Sequence, residues 1–386
     1  MRLAVLALLG LFAGCLDEPA PPPGHGYEMR DEVLVTDLDL DGFDDLITWG
    51  HHGDPRVDSQ VFVRWGGQLP LSQDADVTIS IPAQVARPYH ETVTVMRPTL
   101  IAHVLFALSC DGNTPDGPPA GRICQLWRVP ITGRTAGDPV GLLTQEFNAS
   151  GFGGFTRNPQ PIFMAEYEKT AGDARMVVGD HDRLLEGPLG GDITDVAFTA
   201  PTPDEHLMDI VSAPPVGGST QDELLYVTSA HAAIVAAPPI DASTGAMLFD
   251  TGDPAQVKWR DIDGMQGVFA PANSTNLTWL HVFNGTSLQL VSLQVPLPPQ
   301  QLNPANIGGF SLVDIDPTGL TLYENLDTGT GTFASTIGPI ETESETVLAV
   351  GHFISGNDEQ IMLLDGTEGS HAPKCWKMSG TSLIAC

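Results

Sequence analysis

The sequence predicts an all-β fold made of many short strands, and three observations support this prediction. Glycine (41 residues) and proline (32 residues) together make up close to a fifth of the 386-residue chain, which indicates frequent turns. No long segment repeats its apolar residues with the 3.6-residue period of a helix. Short apolar runs separated by polar turns containing glycine recur instead, as expected for strands joined by tight connections.

The short strands follow a repeated pattern of strand, polar loop and strand, which occurs about seven times. Over a folded body of residues 27–386, this gives roughly 51 residues per unit, a suitable size for a four-stranded blade with variable loops. Single sheets of this kind cannot bury both faces, and packing them around an axis covers those faces. The sequence therefore predicts a β-propeller with seven four-stranded blades, whose units start near residues 34, 93, 162, 196, 257, 310 and 348.

The N-terminal residues predict export and a membrane anchor. A basic start, a short apolar run and small residues indicate a signal peptide over residues 1–14, because the apolar run is too short to span a bilayer. Residues 11–15 resemble a bacterial lipobox, which implies cleavage before Cys15 and lipidation of that cysteine. An ordinary signal peptide cut nearby is the alternative. Residues 15–26 are polar and proline-rich and are expected to form a stiff tether. By the same resemblance, the absence of Asp directly after Cys15 implies the bacterial outer membrane. The folded body could face either the periplasm or the medium.

The charge balance excludes one class of partner. The chain has 17 basic and 48 acidic residues, a formal net charge of −31. Such a field repels phosphate backbones and anionic headgroups, so nucleic-acid binding is not expected and membrane contact is expected only through the lipid. Cations are the natural small partners of this surface.

The five cysteines suit an exported protein once Cys15 is assigned to the lipid. Four cysteines then remain, an even set that favours disulfides. Three connectivities are possible, and closeness in sequence favours Cys110 with Cys124 and Cys375 with Cys386.

The most informative segment is the acidic loop, defined here as residues 37–45. Carboxylates occupy its positions 1, 3, 5 and 9, and a glycine occupies position 6. A chain that wraps around a hard cation needs this spacing, because alternate side chains point inward and the glycine permits a sharp turn. Strand-like runs flank the loop, and position 12 is Thr48 where an EF-hand has Glu. The pattern predicts a calcium loop between two strands, with the carboxylates of Asp37, Asp39, Asp41 and Asp45; a polar turn without metal is the alternative.

The acidic loop resembles the calcium loop of FG-GAP repeats, also called VCBS repeats, of integrin-alpha-like β-propellers. The resemblance is specific over about 20 residues of the first unit and weaker at residues 196–214 and 309–319. It implies a seven-bladed propeller, calcium in the blade loops, and extracellular adhesion or ligand binding. It also implies the backbone carbonyl of Phe43 as the position-7 ligand. In the sixth unit only Asp314 and Asp316 match the ligand pattern.

The sequence favours a non-catalytic role without excluding enzyme activity. It contains no Gly-x-Ser-x-Gly elbow, phosphate-binding loop or His-Glu-x-x-His zinc motif. We expect binding, adhesion or scaffolding toward a protein or glycan at the cell envelope. One alternative is a polysaccharide lyase or hydrolase that pairs carboxyl groups across the propeller funnel. Another is an envelope-assembly lipoprotein that contacts membrane-protein machinery.

Overall fold

The structure is a computed structural model, and the signal peptide, Cys15 and the tether predicted above lie outside the residues that it describes. The described residues are 33–50, 59–72, 74–82, 88–99, 102–111, 122–147, 163–168, 173–179, 184–189, 192–196, 198–199, 207–213, 223–228, 231–235, 240–241, 246–250, 258–262, 265–271, 277–283, 288–296, 303–316, 318–327, 329–342, 345–356, 358–365 and 373–386.

Every regular element in these ranges is a β-strand, which confirms the all-β prediction. The first sheet contains β1 (Val33–Thr36), β2 (Asp45–Gly50), β3 (Ser59–Arg64) and β4 (Val77–Ile81). The second contains β5 (Pro88–Thr99), β6 (Ala102–Asp111), β7 (Arg122–Thr132), β8 (Thr135–Ala136) and β9 (Val140–Phe147). The third contains β10 (Phe163–Glu168), β11 (Ala174–Gly179), β12 (Leu184–Pro188) and β13 (Thr194–Val196). Next, β14 (Phe198–Thr199) pairs in parallel with β18 (Ile240–Asp241).

The remaining sheets have four strands each and are antiparallel. The fourth contains β15 (Leu207–Ala213), β16 (Glu223–Thr228), β17 (His231–Val235) and β19 (Ala246–Asp250). The fifth contains β20 (Lys258–Ile262), β21 (Met265–Pro271), β22 (Leu277–Phe283) and β23 (Leu288–Pro296). The sixth contains β24 (Asn303–Asn306), β25 (Phe310–Asp316), β26 (Gly319–Asp327) and β27 (Thr332–Ile340). The seventh contains β28 (Glu345–Gly351), β29 (Gln360–Asp365), β30 (Lys374–Ser379) and β31 (Ser382–Ala385).

Neighbouring sheets pack face to face through alternate residues of their strands. In β2, Leu46 belongs to an apolar cluster with Met362 of the seventh sheet, whereas the next residue, Ile47, packs in a cluster with Leu105 of the second sheet. In β6, Phe106 points away from the first sheet and joins a cluster with the third. A strand has a side-chain period of two, so an apolar run buries one residue against each neighbour. The core therefore lies between the sheets.

The first and seventh sheets are neighbours in space. Strand β1 contacts β28, and β1 also contacts β5, which in turn contacts β10. Each of these sheets is made of strands that are close in sequence, and no described strand of the first sheet pairs within the seventh. The junction between them is therefore made by side-chain packing and loop hydrogen bonds.

A reciprocal pair of hydrogen bonds joins the first and seventh sheets. Asp44 precedes β2, and its backbone N–H donates to the carbonyl of His352 at 2.8 Å. The backbone N–H of His352 donates back to Asp44 Oδ2 at 2.7 Å. The sixth and seventh sheets share the same arrangement, in which Glu359 precedes β29 and exchanges the corresponding bonds with Asn306 at 2.9 and 2.7 Å. We call this arrangement the carboxylate clasp.

Two of the predicted repeat units have different boundaries in the structure. Residues 194–196 form the last strand of the third sheet, and the fourth sheet begins with Leu207–Ala213, so no unit starts near residue 196. In the sixth sheet the first strand is Asn303–Asn306, and the strand starting at Phe310 is the second. The apolar runs alone do not show which strand of a sheet they form, because the pairing partners lie elsewhere in the chain.

The sixth sheet also changes the interpretation of its two acids. Asp314 and Asp316 lie on the second strand, opposite Thr321 and Gly319, rather than in the loop that corresponds to the acidic loop. That loop is residues 307–309, which is too short to reproduce the acidic spacing. The prediction that these two acids correspond to the calcium ligands of the first loop is therefore wrong, because they lie on a strand and not in the loop.

The structure describes one of the two predicted disulfides. Cys375 and Cys386 form a disulfide across the last hairpin, where the Cys386 N–H also donates to the Cys375 carbonyl. Cys110 and Cys124 stand opposite each other in the register of β6 and β7. A bond between this second pair stays a prediction.

Within the described ranges, no helix has the length and apolar character needed to cross a membrane.

Candidate metal site

The acidic loop connects the first two strands of the first sheet. Leu38 is buried beneath it, whereas Leu40 is exposed at its tip and has a φ of 65°. Gly42 has a φ of 92°, a conformation that a side chain would disfavour. One buried apolar residue and one glycine turn therefore hold the loop so that its polar side chains gather on one side.

Asp45 is the buried end of the site. Its side chain is fully buried, and each carboxylate oxygen accepts a backbone hydrogen bond of 2.8 Å, Oδ2 from Leu38 and Oδ1 from Gly66. The pKa of Asp45 is raised to about 7, chiefly by burial and to a smaller extent by the nearby charge of Asp39, against the backbone donors that lower it. A buried carboxylate of this kind is costly as an anion unless a cation compensates it.

Asp37 and Asp39 converge with Asp45. Each of the three offers one oxygen, and these oxygens all lie within 4.8 Å of one another. The oxygens of Asp37 accept backbone hydrogen bonds from Asp41 and Gly42 at 3.0 Å. The structure thus brings together three of the four carboxylates that the sequence predicts as ligands.

Asp41 and Phe43, the other two predicted ligands, stand differently. Asp41 lies outside the converging group, since its Oδ1 accepts from the Phe43 N–H at 2.9 Å and its Oδ2 accepts from Arg134. Nothing in the described contacts tests whether the carbonyl of Phe43 binds a metal, so this role stays a prediction.

Arg134 is the contact that sequence reasoning missed. It lies in the turn between β7 and β8 of the second sheet and reaches across to the acidic loop. Its Nε donates to Asp39 Oδ2 at 2.8 Å, and its Nη2 donates to Asp41 Oδ2 at 2.7 Å and to the Gly66 carbonyl at 3.1 Å. The guanidinium also lies 5.9 Å from the ring centroid of Trp65. The hydrogen bonds that Arg134 donates to Asp41 and Asp39 raise the pKa of its guanidinium, and its side chain is 47% exposed.

A glycine lets the chain pass close to the loop. A Cβ on Gly66 would lie 2.3 Å from the carbonyl oxygen of Asp44, which is a backbone atom and cannot move aside easily. Gly66 therefore approaches closely enough to donate to Asp45 and to accept from Arg134. The only sequence signal for Arg134 itself is a basic residue beside a turn glycine in a chain with few basic residues.

The seventh sheet contains a loop of the same length that has no carboxylates at the positions of Asp37, Asp39, Asp41 and Asp45. Eight residues separate β28 from β29, as eight separate β1 from β2. Phe353 is buried at the second position, as Leu38 is in the first sheet. Gln360 takes the place of Asp45, and its Oε1 accepts from the Ile354 N–H at 3.0 Å. A neutral amide can therefore close this kind of loop, so the fold alone does not require four carboxylates in the first one.

The donor set fits a hard cation in its chemistry. Carboxylate oxygens are the preferred ligands of calcium, and three of them converge here, one of which belongs to the buried Asp45. Each oxygen that accepts one hydrogen bond retains a lone pair for a further partner. The fit is incomplete at Asp41, which is directed toward Arg134.

Comparison with known proteins identifies the fold. No family model matches the chain. No curated protein matches it either. Among solved structures, the chain is similar to the crystal structure of BBS1N in complex with ARL6DN, soaked with mercury, a β-propeller. The TM-score is 0.51 and the sequence identity 11%, and the alignment covers 93% of this chain and 96% of that chain. At this identity the likeness concerns the fold, and it supports a β-propeller-like arrangement of the sheets.

Proposed function

We propose that this chain is a bacterial cell-envelope lipoprotein whose body is a seven-bladed β-propeller related to FG-GAP repeats. The ring is stabilised by calcium at the acidic loop and serves non-catalytic binding, adhesion or scaffolding toward a protein or glycan. Two observations support the ring: the described sheets follow one another along the chain, and the first contacts the seventh. The outer-membrane location and the lipid anchor are supported by the sequence of residues 1–26.

One observation carries the calcium part of the proposal. Asp37, Asp39 and Asp45 converge in a loop whose counterpart in the seventh sheet is closed by the neutral side chain of Gln360. Clustered carboxylates repel one another and one of them is fully buried, so the loop carries a cost that its counterpart avoids. A function in cation binding accounts for that cost. Calcium bound there would supply positive charge and tie the hairpin, and the carboxylates of this chain would hold the ion.

Calcium is expected to raise the melting temperature of the soluble body, residues 27–386, relative to the same protein in chelator. At a free calcium concentration of 100 times Kd, the free energy of unfolding should increase by about 2.7 kcal/mol. Magnesium should give a smaller increase, because it prefers six tightly arranged ligands and retains its water. Differential scanning calorimetry with calcium, magnesium and chelator measures the difference.

Two variants sharpen this experiment. Asp37→Asn removes a carboxylate from the converging group and does not touch the contacts of Arg134, so calcium should stabilise it much less. Asp138→Asn removes an exposed charge from the second sheet and serves as the control, with the full calcium effect. Equal melting temperatures of the wild-type protein in calcium and in chelator would reject the structural role of calcium.

The lipid anchor gives an independent prediction. Cells that express the full chain and are fed a labelled fatty acid should incorporate label into the wild-type protein and not into Cys15→Ala. The thiol of Cys15 is the attachment point implied by the lipobox-like residues 11–15. The labelled protein should also sediment with outer membranes. Equal labelling of the two proteins would show that Cys15 is not lipidated.

A further inference from the structure

The acidic loop receives a positive charge from another sheet. The guanidinium of Arg134 binds Asp39 and Asp41 together, at 2.8 and 2.7 Å, and the two sequence separations are 95 and 93 residues. Positively charged side chains are scarce in this protein, which has 17 basic and 48 acidic residues. The guanidinium of Arg134 is also held in place by two further contacts, a hydrogen bond to the Gly66 carbonyl and the ring of Trp65.

Asp39 is shared between two groups of contacts. Its Oδ2 accepts from Arg134, and Asp39 also belongs to the converging group with Asp37 and Asp45. The side chain of Asp39 is only 3% exposed, and its Oδ1 accepts from the Asp41 N–H at 3.2 Å, so both of its oxygens already have a hydrogen-bond donor. A divalent ion and the guanidinium would both bind the carboxylate of Asp39, and their positive charges would repel each other.

We propose that Arg134 is a tethered cation that competes with calcium for the acidic loop. The inference rests on the proposed calcium function and adds its regulation. Without metal, Arg134 neutralises Asp39 and Asp41 and holds the first sheet to the second. When the loop takes up calcium, the guanidinium loses Asp39 and keeps its contacts to Asp41, Gly66 and Trp65. Calcium binding thereby weakens one link between the sheets while it strengthens the loop.

This arrangement has a thermodynamic consequence. Any contact that exists only in the metal-free protein lowers the apparent affinity for the metal, and the coupling is the same in both directions. Arg134 therefore sets the calcium concentration at which the loop fills. An exported protein meets far more calcium than a cytosolic one, so a weakened site suits that environment.

Arg134→Gln tests the proposal in the soluble body, residues 27–386. The variant removes the charge from a half-exposed side chain, so it should fold. In chelator its melting temperature should fall below that of the wild type, because Asp39 and Asp41 lose their partner. In calorimetric titration its calcium Kd should decrease by roughly tenfold, since the competing charge is gone. Lys377→Gln removes one positive charge from β30 of the seventh sheet and is the control for net charge, with wild-type values expected in both measurements.

Each contrary outcome has a distinct meaning. Calcium binding with equal affinity in the wild type and Arg134→Gln would overturn the competition and leave the calcium function standing. An unchanged melting temperature of Arg134→Gln in chelator would overturn the bridging role. Absence of calcium binding in both proteins would overturn the calcium function and the competition together. A matched affinity gain in Lys377→Gln would show a general charge effect and also overturn the proposal.

Discussion

Replacing Asp45 by Ala should lower the free energy of unfolding by about 3 kcal/mol at pH 5 in chelator. The substitution removes the acceptors of two backbone N–H groups, those of Leu38 and Gly66, at a position with no exposed surface. Each buried donor left without a partner costs about 1–3 kcal/mol. Urea unfolding followed by far-ultraviolet circular dichroism measures the difference. A loss below about 1 kcal/mol would contradict the role assigned to this carboxyl group.

The effect of Asp45 should also depend on pH, and its sign follows from the raised pKa. The pKa is about 7 in the folded protein against a reference value of 3.8, so the folded state binds the proton more tightly. The stability that Asp45 contributes is therefore fully present below about pH 4 and is lost as pH rises toward 7, by up to about 1.4 kcal/mol per pH unit. The gap between the wild type and Asp45→Ala should narrow over this interval in chelator.

Asp45→Asn is the matched control for the titration. It keeps one oxygen acceptor and cannot ionise, as the corresponding Gln360 cannot in the seventh sheet. Its stability, compared with that of Asp45→Ala, should not change with pH. A constant gap between wild type and Asp45→Ala from pH 4 to pH 7 would show that burial does not raise the pKa of this group.

Asp44→Ala is expected to weaken the junction between the first and seventh sheets by about 2 kcal/mol, because the His352 N–H loses its acceptor. The two residues are 308 positions apart, and no described strand is shared between these sheets. The clasp therefore stabilises a junction at which no described strands pair. Amide hydrogen exchange at β1 and β28, together with urea unfolding, measures the weakening.

The chain offers controls for the clasp. Asp44→Asn retains an oxygen that can accept from His352, so most of the stability should return. Glu359→Ala removes the same bond between the sixth and seventh sheets and should cost a similar amount. Faster exchange at β1 and β28 should follow from Asp44→Ala, whereas Glu359→Ala should affect β24 and β28. Wild-type exchange rates in Asp44→Ala would mean that apolar packing alone closes the junction.

The acidic loop shows how much of a site can be predicted from local sequence. Its carboxylate spacing and turn glycine act within nine residues, so they predicted both the strands that flank the loop and the convergence of Asp37, Asp39 and Asp45. The same local reasoning placed Asp41 in the group, where the structure turns it toward Arg134. Nothing within the loop indicates this, because the competing partner belongs to another sheet.

The amino-acid sequence by itself determined the all-β class, the strand–loop–strand units and the acid cluster of the first loop, since period, turn residues and spacing act between neighbours in the chain. Tertiary structure alone decided which strand begins the fourth and sixth sheets, that Arg134 meets Asp39, and that Asp44 meets His352. These outcomes depend on which faces pack together, and a short apolar run has the same pattern whichever sheet receives it.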